Sequence, residues 1–233
     1  MLALCAIPGA ALAAVTVKGK VSGGAKLLNP VWNAAKDPKS NRYTFREPSA
    51  TVRPDVRVLT GFLPKELCIV ALGEKGAPGP LRPLMIAGGR ISPVTIVVAE
   101  GQQLQFENKD PFPHTLYEPT GKGGLQAGET LPGKPRAWTP SGPGRWEVLD
   151  KTSPSVRAWV VVEPRAMAIA YPDRKGDFAI EIAEPGTYKL RGYFNGEPVG
   201  TELEVTVKPN PVEQVLGNAL MLGDGSGAPA AGA

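Results

Sequence analysis

One histidine, His114, stands in the 233 residues, inside the stretch FENKDPFPHTLYEP (106–119). A single imidazole can join a metal site, relay a proton or hold hydrogen bonds. The thiols are Cys5 and Cys68, and neither lies near His114 or near the other in sequence. The paired Cys and His spacings of a structural zinc site are therefore absent. No serine, cysteine or carboxylate motif around His114 sets up a nucleophile and its base, so an enzyme is not expected. Asp110, Glu118 and Asp150 are acidic neighbours numerous enough to pair by chance, and the sequence does not give their separation. The expected place of His114 is a loop, with its ring hydrogen-bonded to a neighbouring backbone group.

Cys68 lies in LCIVALG, where a cysteine is expected to act as a small buried hydrophobe. The start, MLALCAIPGAALAAVTV, is apolar through Ala14 and contains Ala11-Leu12-Ala13, the small-residue pattern of a secretory cleavage site. Residues 1–13 are read as a signal peptide, too short to span a bilayer comfortably. The basic segment that normally opens such a signal is missing, so a start further upstream and a buried N-terminal strand both stay open. Leu4 before Cys5 makes a poor acylation site, and no lipid anchor is expected. Cleavage would leave Cys68 as the only thiol and rule out an internal disulfide.

The elements that must position these residues are strands. Gly 28 and Pro 25 accompany an ordinary hydrophobic fraction of 42%, a balance that favours many short strands joined by tight turns. The net charge of +4 and pI near 9.1 come from 26 basic and 22 acidic residues spread along the chain. With no basic run interleaved with aromatics, nucleic acid is not an expected partner. LCIVALG, LRPLMIAG, VTIVVAE, QLQFEN, HTLYE, RWEVLD and VRAWVVVE read as strands of one domain over 67–164. MAIAYP, DFAIEI, TYKLRGYF and TELEVTV form a second set over 165–208, with Asn195-Gly196 as a hairpin signal. Four strands are few for an independent core, so VTVKGKVS (within 14–23) is expected to join them. Residues 24–66 form a long loop-rich segment in which Trp32, Tyr43 and Phe45 are the candidate partner-binding residues. Over 209–233 the expectation is one short helix, VEQVLGNALML, and a disordered tail.

Three stretches, VTIVVAEGQQLQFENKDPFPHTLYEP, VRAWVVVEP and GDFAIEIAEPGTYKL, resemble secreted cupredoxin-like proteins coupled to a carboxypeptidase-regulatory-like, transthyretin-type domain. The resemblance covers roughly residues 88–207. It implies an all-β chain: a cupredoxin-like Greek-key β-sandwich with a second small transthyretin-like β-sandwich. It also implies a first copper ligand at His114, and further ligands in a Cys-x-x-His-x-x-Met loop before Arg157-Ala158-Trp159. In this chain those positions hold Asp150, Ser153 and Val156. A blue-copper centre needs two imidazoles and a thiolate, so the set is degenerate and His114 reads as its remnant, with no metal or cofactor expected. The resulting expectation is a periplasmic or secreted structural or interaction protein with a protein partner in the cell envelope or outside it, and no membrane span. Weak copper binding or electron transfer through His114, with Asp150 and water, is the first alternative. A glycan-binding module with Trp138, Trp146 or Tyr117 as stacking platforms is the second.

Overall fold

The computed structural model describes residues 14–27, 61–76, 83–209 and 212–223. The expected signal peptide, the residues Trp32, Tyr43 and Phe45, and the end of the tail lie outside the described residues. In chain order the first strands are β1 (Val15–Ser22), β2 (Leu67–Leu72), β3 (Leu84–Ala87), β4 (Arg90–Ser92), β5 (Thr95–Val98) and β6 (Leu104–Asn108). Next come β7 (His114–Tyr117), β8 (Gly128–Thr130), β9 (Pro135–Trp138), β10 (Gly144–Asp150), β11 (Arg157–Val162) and β12 (Ala166–Ala170). The last described strands are β13 (Asp177–Ile182), β14 (Gly186–Phe194), β15 (Glu197–Val207), β16 (Glu213–Val215) and β17 (Leu220–Met221). Among the described residues helix is confined to short turns such as Leu63–Glu66. Among the described residues no helix is long and apolar enough to cross a membrane.

The protein is all-β and builds two sandwiches. In the first, a sheet of order β4-β3-β6-β9 faces one of order β5-β11-β10-β7-β8. Alternation sends one face of each strand inward: Leu104 and Phe106 of β6, and Leu84 and Ile86 of β3, meet Val148, Ala158 and Val160 of β10 and β11. The pairs β3·β6 and β5·β11 are parallel, so their connections cross over the sandwich and do not form hairpins.

In the second sandwich, β1 pairs antiparallel with β13 from Val15↔Ile182 to Lys20↔Asp177, and runs parallel to β16 and β17. The facing sheet has the order β12-β2-β14-β15. Val15, Val17, Phe178 and Ile180 pack there against Ile69, Leu190 and Val205.

Two sequence expectations are corrected. Leu67–Leu72, assigned to the first sandwich, lies in the second, between β12 and β14. All six of its residues are buried, because Leu67, Ile69 and Ala71 fill the second core while Cys68, Val70 and Leu72 face the first sandwich. A strand covered on both faces loses its polar alternation, and with it the signal of which sheet it belongs to. The expected helix VEQVLGNALML is instead the strands β16 and β17 with a bend between them. Its apolar residues divide accordingly: Leu220 is buried, while Val212, Val215 and Met221 point outward. The second sandwich thereby draws on eight strands, not four with one added.

Candidate functional site

Three turns meet at one end of the first sandwich. In the β3–β4 turn, Gly88 and Gly89 both have positive φ, 60° and 66°, a conformation glycine adopts without a Cβ penalty. Their successive N–H groups donate to Asp110 Oδ1 at 2.6 Å and Oδ2 at 2.9 Å, the kind of backbone grip that favours an anion. Asp110 is placed by the β6–β7 turn, where its own N–H donates to Asn108 Oδ1 at 2.8 Å. The buried Asn108 amide in turn donates to the carbonyls of Phe112 and Thr130. In the β10–β11 turn, the N–H groups of Thr152 and Ser153 and the Thr152 hydroxyl all donate to Asp150 Oδ1, at 2.6, 3.0 and 2.7 Å.

His114 joins these turns. It opens β7 and does not lie in a loop, it is 0% exposed, and its ring meets two carboxylates where a backbone partner was expected. Nδ1 lies 2.7 Å from Asp150 Oδ2, and Nε2 lies 3.0 Å from Asp110 Oδ2. The Phe112 ring is tilted against the imidazole at a centroid separation of 5.0 Å. The Gly89 and Gly88 N–H groups, opposed by burial and assisted by His114, hold the Asp110 carboxyl below its ordinary range. Burial pushes Asp150 up, but its bonds from Thr152, Ser153 and His114 together outweigh this and hold it low as well. A neutral imidazole has one N–H to give. Two ionised acceptors at its two nitrogens are both satisfied only when both nitrogens carry a proton.

The positions implied for a ligand loop behave differently from one another. Asp150 reaches His114. Ser153 contributes its backbone N–H to Asp150, and Val156 is fully buried in the first core. The donors also fail to converge, because Asp110 and Asp150 face opposite edges of one ring. Two donors on a common ion with bonds of about 2.0–2.2 Å would stand roughly 3.3–3.6 Å apart, whereas His114 and Asp150 are in hydrogen-bond contact. Among the described residues no group of three His, Cys, Asp or Glu could hold a metal ion.

Of the acids named from sequence, Asp110 and Asp150 come together, while the buried Glu118 turns away to accept the N–H groups of Thr120 and Gly123. Sequence reading missed the part played by Gly88, Gly89 and Thr152. Only the Gly-Gly pair carried a local signal, and that signal was for a turn. Trp138 is not a stacking platform: it is buried, stacks on Phe106 at 6.2 Å and donates its indole N–H to Gly123 O. Trp146 is half-buried, and its indole N–H is satisfied by Gly142 O at 3.1 Å. Cys68 is a free, buried thiol.

No family model matches the chain, and no curated protein matches it. Among solved structures it is similar to a reduced variant of amicyanin at 19% identity, over 40% of this chain and 99% of that one, with a TM-score of 0.33. An oxidized amicyanin variant aligns at 22% identity over 34% and 79% of the two chains, with a TM-score of 0.32. A purple cupredoxin from Nitrosopumilus maritimus aligns at 17% identity over 35% and 98%, with a TM-score of 0.31.

Proposed function

We propose that this protein is a non-catalytic structural or interaction protein of the periplasm or extracellular space, built on a cupredoxin-like sandwich whose metal position is closed by an ion-pair network. The observation that carries the reading is the Asp150 carboxylate 2.7 Å from His114 Nδ1, at the sequence position where the resembling family has a thiolate. An imidazole whose two nitrogens each face a carboxylate at hydrogen-bond distance turns neither of them to a metal or to a substrate proton. The fold around it keeps its strands and turns, as a scaffold can when its site is gone. The Ala11-Leu12-Ala13 pattern supports export, and the lack of a clustered basic surface in the sequence argues against nucleic acid. On this reading the protein works through a protein partner and without a cofactor.

The test is copper loading of the purified protein, followed by desalting and elemental analysis. Well under one equivalent is expected, with no strong thiolate-to-copper absorption. Retention of one equivalent that disappears in His114→Ala would overturn the proposal.

A further inference from the structure

The two sandwiches are joined by more than a linker. Domains of one chain reorient freely unless their interface is large and apolar. Here the outer faces of β2 and β14 send Cys68, Val70, Leu72 and Tyr193 against Val97 and Val161 on the outer faces of β5 and β11. Backbone and side-chain bonds stitch the edge of this patch. Val94 N–H donates to Lys65 O at 2.7 Å, Tyr171 OH to Thr95 O at 2.9 Å, and Tyr193 OH to Glu163 Oε2 at 3.3 Å.

At the far side the β14–β15 hairpin closes the contact. Its two-residue turn has Asn195 at φ 50° and Gly196 at φ 81°, the positive-φ pair that a tight hairpin needs. The turn lies against two side chains of the other sandwich. A Cβ on Gly196 would stand 2.6 Å from Arg145 Nε and 2.9 Å from Trp159 Cβ. Arg145 stacks on Trp159, its guanidinium carbon 3.7 Å from the ring centroid. The same guanidinium donates to Asn195 O at 3.1 Å and pairs with Glu197 at 2.7 Å. One arginine of the first sandwich thus holds both sides of the turn of the second, and Trp159 fixes the arginine from below.

We infer that the two sandwiches form one cooperative, fixed unit, latched where the Asn195-Gly196 turn seats on Arg145 and Trp159. The latch presents both sandwiches to a partner as one rigid surface. It does not depend on the proposal about the metal position, since no residue of the Asp110–His114–Asp150 network takes part.

Calorimetry of the full chain should show one unfolding transition with equal calorimetric and van't Hoff enthalpies. Hydrogen exchange then reads the latch itself. Trp159→Ala alters only the first sandwich, yet it should speed amide exchange at Asn195–Glu197 in the second by about tenfold or more. Arg145→Ala, a change at a partly exposed side chain, should move the same amides in the same direction and serves if Trp159→Ala does not fold. Two separated transitions in the unaltered protein, or unchanged exchange at the turn in the variant that folds, would overturn the inference.

Discussion

His114 sits where burial is costly for any charge, and the network around it explains how the cost is met. Each carboxylate is compensated by backbone N–H groups as well as by the ring, so no charged oxygen is left bare. Removing one member of such a buried pair strands the others, at a cost of about 3–5 kcal/mol. Asp150→Asn should therefore lower the unfolding free energy at pH 7 by about 3 kcal/mol, read from urea denaturation; a loss indistinguishable from zero would contradict the contact. The pH dependence has a definite sign. Asp110 and Asp150 both titrate lower in the folded protein than their ordinary value. Their stabilisation is complete above the unfolded value of about 3.9 and is lost as pH falls through the lower folded values. The unaltered protein should lose stability steeply below about pH 4, and Asp150→Asn should lose it along a shallower curve.

Among the elements, β2 carries the clearest lesson in what a sequence displays. Strands with one wet face, such as β6 and β13, alternate and could be placed from their pattern alone. The run LCIVAL has no wet face, so it reads as a strand without an address. β16 and β17 are two to three residues each, too short for a period of two to show. The double burial of β2 has a chemical consequence, because burial pushes the Cys68 thiol up to about 12, with its backbone and Tyr171 contacts opposing only in part. Thiol reagents at pH 8 should leave Cys68 unmodified in the folded protein and modify it after denaturation, as peptide mass mapping would show. Native-state labelling at the rate of an exposed cysteine would contradict the placement of β2 between the sandwiches.

At the scale of the whole molecule, the strand content, the tight turns and the presence of two β units were legible, since composition and alternation are local properties. The site was legible only in part. His114 stood out as the one histidine, and Asp150 was named through the resemblance, but Asp110 was one acid among many. What brings Asp110 to Nε2 is the docking of the Gly88-Gly89 turn onto the β6–β7 turn, a contact between residues 21 and 22 positions apart that no short motif encodes. On the reading proposed above, the docking of these turns closes the position where the resembling family holds a metal. Because the chain has a single histidine, one experiment reads that closure directly: a long-range proton–nitrogen correlation spectrum of the 15N-labelled protein at neutral pH, recorded before and after adding copper. Closure of the position predicts that the His114 ring N–H is protected from solvent exchange and that neither ring-nitrogen signal responds to copper. A bare Nδ1 whose signal is broadened or lost at one equivalent of copper would contradict it.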